Sequence, residues 1–537
     1  MFRVWTNEGE EQRQGDGGLG TGESATRHPH SRTPALLWTS PPRARRLSAP
    51  PAPVPRTLRP LIFTRRRDAP SATPDWLYSL EPSSTRRRRP WQNVTGPQLL
   101  VTSFLLLIAF GTVGLRVLPG LYTGQRLGWL DALFTATSAV CVTGLIVVDT
   151  ATWFTPAGQA FILLLIQMGG LGIIAFTSLV IVALGRRMSL RHETLSTGVA
   201  QVAPAVNARG LAFDVVRFTL LIEAIGALLL YLLWIPRLGW RGAAFPAVFH
   251  SISAFCNAGF STFSDSLTGF QRSPLTLAVI MAIIVLGGLG FLTLEELYLD
   301  RKAAREQRRF RVSLHSRIVL VSTAVLIVLG WGAFTVLEWH GTFGQLPVWA
   351  RPLNGLFMSV TARTAGFNTV DYGEAGASTN FLTILLMAIG GSPGSTAGGL
   401  KTTTFALLGL VALSRLRGRE MTSLFGRTVP EETIQRAVGL FVVFFAMVTA
   451  GILCFVTLQA AGTERFLAYM FEAASAFATV GLSMGVTGEL EPSSRVVAII
   501  LMYVGRVGPL AFAAAIALSR PTAAGEFRYA YEDVVVG

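Results

Sequence analysis

Lysine is almost missing from this chain: Lys302 and Lys401 stand against 44 arginines in 537 residues. Cysteine is scarce too. Cys141, Cys256 and Cys454 sit in apolar surroundings at spacings that fit neither a disulfide framework nor a zinc site. Charge is thin overall, 14% of residues against 51% hydrophobic, which excludes a soluble multidomain protein and fits a polytopic membrane protein. No HExxH, nucleophile elbow, paired intramembrane aspartate or cofactor motif is present, so nothing points to an enzyme or to a covalently bound cofactor.

The charge that exists is unevenly placed. Residues 1–90 hold sixteen arginines against eight carboxylates, with thirteen of the 27 prolines. Such a segment buries too little apolar surface to offset its chain entropy, so 1–96 is expected to be a disordered basic cytoplasmic segment or the product of a start codon assigned too far upstream. No apolar core follows the charges, as a secretory signal requires, and Glu8, Glu10 and Glu11 argue against a transit peptide. No aromatic or folded module accompanies the arginines, so no nucleic-acid partner is expected.

From residue 97 the chain turns apolar. Runs long enough to span a bilayer (about 20 residues) lie near 97–117, 157–184, 211–235, 274–299, 315–338, 379–412, 434–460 and 494–519. Between the members of each pair lies a shorter stretch: 131–141, 245–256, 353–362 and 467–478. These are too short to cross and too apolar for ordinary loops, which predicts re-entrant half-helices. Arg186, Arg187 and Arg191, then Arg301 to Arg311, then Arg415, Arg417 and Arg419 follow the second helix of a pair, whereas Asp149, Asp265 and Asp371 mark the opposite loops. The positive-inside tendency then puts both termini in the cytoplasm and brings every re-entrant loop in from outside.

Each re-entrant stretch runs into a similar segment: Ser138-Ala-Val-Cys-Val-Thr-Gly144-Leu145, Ser253-Ala-Phe-Cys-Asn-Ala-Gly259-Phe260, Thr361-Ala-Arg-Thr-Ala-Gly366-Phe367 and Ser475-Ala-Phe-Ala-Thr-Val-Gly481-Leu482. The glycines recur at intervals of 115, 107 and 115 residues. The expected fold is all-α and polytopic, four helix–pore loop–helix repeats in pseudo-fourfold array around one pore: 97–195, 196–312, 313–428 with a broken second helix, and 429–520, followed by a tail at 521–537. A sensor without transport has no need of four matching loops.

Non-helical backbone at membrane depth survives only when buried in protein or lining water. No acid stands at these loops, so the ligands on offer are main-chain carbonyls, which suit a weakly hydrated monovalent cation such as potassium. The candidate filter residues are Val142, Thr143 and Gly144; Asn257, Ala258 and Gly259; Thr364, Ala365 and Gly366; and Thr479, Val480 and Gly481. Glycine permits the φ/ψ values that turn consecutive carbonyls to one axis.

The residues resemble the Trk/Ktr/HKT superfamily of cation transporters, most closely its Ktr-type membrane subunit, from about residue 97 to the C-terminus. The resemblance is carried by Phe134–Leu145, Gln167-Met-Gly-Gly-Leu-Gly172, Thr361–Asn368, Gly390–Thr404 and Gly505-Arg-Val-Gly-Pro509. It implies potassium uptake, often sodium-stimulated, by a homodimer in the lipid bilayer docked on a cytosolic nucleotide-binding regulatory ring, the nucleotide (ATP/ADP or NAD) belonging to the partner. Glycine at 144, where sodium-selective members often carry serine, favours potassium. Trk-type relatives usually have two extra N-terminal membrane helices, and residues 1–96 are too polar for that. The alternatives are a Trk-type subunit or a sodium-permeable HKT-like relative.

Gly390, Gly391, Ser392, Pro393, Gly394, Ser395, Thr396, Ala397, Gly398 and Gly399 cannot sustain a helix and must break the second helix of repeat three. By resemblance this is the loop that gates conduction. It misses a phosphate-binding P-loop because Leu400 separates the glycines from Lys401. Arg506, inside the last span, is expected to face the pore and close it with this loop, the alternative being a pairing with Glu295, Glu296 or Glu472. Lys401 is expected to snorkel towards the cytoplasm. The glycines at 169–170, 287–288, 390–391 and 505 are read as close-packing positions. Asp131, His250 and Glu472 are read as caps or anchors, and Arg363 as a buried brace.

Overall fold

The computed structural model describes residues 96–172, 208–307, 312–419, 421–459 and 463–508, all within one compact unit, Thr85–Gly537. The basic segment to residue 95, the arginines at 186, 187 and 191, and the tail 521–537 lie outside the described residues, as do the ends of the runs 157–184 and 494–519.

Each repeat contributes an outer helix, a half-helix, a loop and an inner helix. The first is α1 (Gly96–Val117), α2 (Trp129–Val140) and α3 (Pro156–Gly170). In the second, α4 (Ala208–Cys256) supplies outer helix and half-helix together, turned at Gly239 (φ 73°). It is followed by α5 (Pro274–Gly288) and α6 (Phe291–Arg305). The third comprises α7 (Leu314–Leu337), α8 (Ala350–Thr361), α9 (Ala377–Ala388) and α10 (Thr402–Leu416). A two-stranded hairpin, β1 (Ser423–Leu424) with β2 (Arg427–Thr428), leads into α11 (Glu431–Leu458), α12 (Phe466–Ala478) and α13 (Pro492–Val507).

Four described helices are long and apolar enough to cross a membrane, Gln98–Val117, Val215–Cys256, Leu314–Leu337 and Glu431–Leu458. They are the outer helices, and their exposed side chains are large and apolar: Leu106, Leu220, Leu329 and Phe445 among them. A surface of that kind needs lipid rather than water against it. The core lies on the other side, where Phe134, Phe255, Phe357 and Phe471 are fully buried behind the loops.

The inner helices correct the expectation of four full-length second spans broken only in repeat three. In repeat two the chain bends by 101° between α5 and α6, at Gly290 with φ 86°. The described helices α3 and α13 end at Gly170 and Val507, each followed by a glycine of positive φ (Gly172 at 60°, Gly508 at 90°). Among the described residues the inner helix is thus broken in repeat two as well as in repeat three. The glycine repeat marks the level, but the bend itself falls on Gly290, two positions later.

The close-packing reading of those glycines fits three of the four. A Cβ on Gly169, Gly287 or Gly505 would drive into the main-chain carbonyl of Val140, Phe255 or Phe477 respectively, the third residue of each repeated segment. Inner helix and half-helix thus touch backbone to backbone, which only glycine permits.

Candidate functional site

The four half-helices end by the same device. Val142 (φ 56°), Asn257 (57°), Thr364 (71°) and Thr479 (52°) take the left-handed conformation, and two residues on Gly144 (91°), Gly259 (72°), Gly366 (81°) and Gly481 (91°) do so again. Asparagine tolerates this region, whereas valine and threonine are β-branched and strained there, at about 1–3 kcal/mol each. Sequence reasoning assigned unusual backbone to the glycines alone and missed the residue two positions earlier.

Burial and hydrogen bonds hold the strain. Gly144 N donates to Ser138 Oγ and Gly481 N to Ser475 Oγ, both at 3.1 Å. Ser253 Oγ donates to Phe260 O at 2.8 Å and Thr361 Oγ1 to Phe367 O at 2.5 Å. The hydroxyl residue that opens each segment is thus its brace. That signal was visible as a recurring Ser or Thr, yet it drew no role.

The loops meet in a closed ring. A Cβ on Gly144 would strike Ala258 O; one on Gly259 would lie 3.0 Å from Ala365 O. One on Gly366 would strike Val480 O, and one on Gly481 would strike Thr143 O. Each glycine therefore faces the carbonyl preceding the next glycine, in the order one, two, three, four and back to one. The ring joins eight of the twelve predicted residues: Thr143, Gly144, Ala258, Gly259, Ala365, Gly366, Val480 and Gly481. All four glycines also line a cavity of about 430 Å³ on the side where Asp149, Asp265 and Asp371 stand.

Beneath the ring runs the segment Gly390–Gly399. Gly390 N donates to Leu400 O (2.9 Å) and Thr402 N to Gly391 O (3.0 Å), closing the segment at its base. Ser392 N donates to Gly288 O (3.0 Å), Ser395 Oγ to Ser392 O (2.7 Å) and Phe291 N to Gly394 O (3.2 Å), so residues 392–395 rest on the bend of repeat two. Thr396 Oγ1 donates to Phe255 O and Gly287 O, both at 3.1 Å. A Cβ on Gly398 would lie 2.6 Å from Ala478 O, beside the fourth loop.

Arg506 binds this segment from the opposite side. Its guanidinium donates to Thr396 O and, at 2.9 Å, to Gly169 O. The partners seen are carbonyls of repeats one and three, not the carboxylate of the alternative reading. Lys401 departs from the snorkelling expectation: its ammonium turns back to Ala397 O at 2.8 Å, because the loop offers a buried acceptor.

Of the expected caps, Asp131 instead forms an ion pair of 2.5 Å with Arg495, joining repeats one and four. His250 and Glu472 are anchors: His250 Nε2 meets Ser261 Oγ at 2.9 Å, and Glu472 accepts from Ser483 (2.9 Å) and Thr487 (2.6 Å). The sequence reading overlooked Glu223, a buried carboxylate that accepts from Gln167 Nε2 at 3.0 Å.

The chain is similar to known proteins. The TrkH family, described as "Cation transport protein", matches residues 80–525. Ktr system potassium uptake protein B of Bacillus subtilis is 38% identical over 450 residues, 83% of this chain and 98% of its own. The potassium/sodium uptake protein NtpJ of Enterococcus hirae is 34% identical, over 84% of this chain and 99% of its own. The crystal structure of the potassium transporter TrkH from Vibrio parahaemolyticus superposes with a TM-score of 0.64 at 19% identity, covering 81% of this chain and 87% of that one, and so shares the fold. With outer helices built for lipid and four loops closing one ring, this multi-pass membrane chain belongs to the TrkH family of cation transport proteins, which are ion transporters and not enzymes.

Proposed function

We propose that this chain carries potassium into the cell, the ion shedding its water against main-chain oxygens of residues 142–144, 257–259, 364–366 and 479–481. The observation that carries the reading is the ring in which each loop's glycine faces the next loop's carbonyl. A layer of carbonyl dipoles replaces hydration best for a large, weakly hydrated cation. The names of the relatives, potassium uptake and potassium/sodium uptake, agree with that chemistry. One layer per loop discriminates less sharply than a deep multi-site filter, so some sodium passes and sodium stimulation belongs to the proposal.

The same reading makes Gly390–Gly399, with Lys401 and Arg506, the gate. Its support is position: the segment lies under the ring, and Arg506 bonds it to repeat one. Control by a cytosolic nucleotide-binding subunit, assembly as a homodimer, cytoplasmic termini and repeat boundaries at 97–195, 196–312, 313–428 and 429–520 complete the proposal. That the relative of Bacillus subtilis is named as part of a Ktr system supports a partner subunit.

The test is rubidium or potassium flux into liposomes bearing the purified protein, with and without a regulatory subunit, across a sodium titration. Uptake above empty liposomes that saturates with potassium is expected; uptake equal to empty liposomes under every condition would end the reading.

A further inference from the structure

In three repeats the third residue of the segment (Val140, Phe255, Phe477) presents its carbonyl to a glycine of the inner helix. Repeat three places Arg363 there, and the contact is made the other way round: Arg363 Nη2 donates to Gly390 O at 3.4 Å. A guanidinium inside a filter loop thus grips the first residue of the broken segment. Arg363 is buried at 8% exposure, and its Nε has no partner among the described residues. Burying a donor unmet costs more than a hydrogen bond returns, so an unseen acceptor is expected.

A chamber beside it meets that need. About 20 Å³ of space lies behind the ring, walled by Asn257, Thr323, Arg363, Gly288 and Gly391. One water molecule needs roughly 10–15 Å³ and two to four polar partners. Thr323 Oγ1, on the outer helix α7, is likewise buried with no partner among the described residues. The amide of Asn257 is satisfied when its nitrogen donates to Ala254 O (2.9 Å) and Ile284 O (3.3 Å), which turns its oxygen towards Gly288 on the chamber wall. The walls then offer a cationic N–H, a hydroxyl and an amide oxygen. That mixture of donor and acceptor suits water and disfavours an anion, which the amide oxygen would repel.

We propose that the chamber holds one bound water, and that through it and Gly390 O Arg363 acts as a positioning residue. It ties the second filter loop (Asn257), the third filter loop and the root of the broken segment into one unit, so that ion preference depends on this guanidinium. The inference rests on the filter reading and deepens it.

The experiment compares potassium and sodium flux in proteoliposomes for the wild type, Arg363→Gln, Arg363→Lys, Thr323→Val and, as a control on the filter itself, Gly144→Ser. Arg363→Gln removes a charged donor and is expected to cut the preference for potassium over sodium about tenfold. Arg363→Lys keeps a cation near Gly390 O but cannot fork, so it should restore part of the preference. Thr323→Val takes one partner from the water without touching filter or gate and should shift the ratio by about threefold. Should Arg363→Gln fail to give a monodisperse protein, Thr323→Val decides. A merely structural arginine would lower both fluxes together; an unchanged ratio in the folded variants, with Gly144→Ser still altering it, would overturn this inference and leave the filter standing. A wild type without preference, or a Gly144→Ser ratio like wild type, would overturn both.

Discussion

A single β-carbon separates Gly144 from the neighbouring loop. Its φ of 91° already disfavours any L side chain, and the added atom would press on Ala258 O. Gly144→Ser must therefore move a carbonyl out of the ring and add a hydroxyl beside it. The expected outcome is a higher sodium-to-potassium permeability ratio, measured by flux with each ion as sole cation; an unchanged ratio would count against the assignment. The glycines were legible in the sequence because repetition exposed them. Val142, Thr364 and Thr479 were not, because nothing in the residue type announces a β-branched side chain held at positive φ. The tertiary ring imposes that conformation against local preference.

Elements show what their ends are made to do. Glu338 ends α7, where the helix dipole disfavours a carboxylate. Burial also acts to raise its pKa. Hydrogen bonds from Thr379, from Thr342 and from the N–H of Gly376 (3.0 Å) outweigh both and hold the acid below the ordinary glutamate range. A folded value below the unfolded one contributes stability that is present above the unfolded value, about pH 4.3, and is lost as pH falls through the folded value. Glu338→Gln should therefore lower the melting temperature near pH 7, with the deficit shrinking as the solution is taken below about pH 4; a deficit constant across that range would refute the account.

The segment between α9 and α10 makes the second element-scale prediction. Thr396, Gly398 and Arg506 hold it beneath the ring, whereas Gly390 and Gly391 root it. Shortening it within 393–398, with Gly390 and Gly391 kept, should raise flux severalfold while the potassium-to-sodium ratio moves far less. Its existence could be read from five glycines and a proline in ten residues. Its contacts could not, since they run through the carbonyls of Phe255 and Gly287, which accept from Thr396, and of Thr396 itself, which accepts from Arg506, and a carbonyl carries no residue identity. The bend at Gly290 escaped for a related reason: α5 and α6 read as one apolar run, and the glycines at 287–288 were read as packing positions rather than as the approach to a turn of 101°.

At the scale of the molecule, the half-helices lie within a few residues of the stretches read from hydropathy, the largest departure being in repeat two, where the helix resumes at once after the turn at Gly239. Outer helices were legible because lipid imposes composition on them. The pairing of Asp131 with Arg495 was not, for 364 residues separate the two and only closure of the ring brings them together. That closure is also made by Tyr503 Oη, which donates to Val101 O at 2.8 Å.

Because all four quadrants of the ring belong to one polypeptide, a substitution alters a single quadrant. A pore assembled from identical subunits receives every change in quadruplicate, and one arginine introduced behind its filter would arrive as four like charges crowding one axis. Here Arg363, Arg506 and the ten-residue segment Gly390–Gly399 each occur once. Covalent linkage is what lets a near-symmetric ring carry a one-sided insertion.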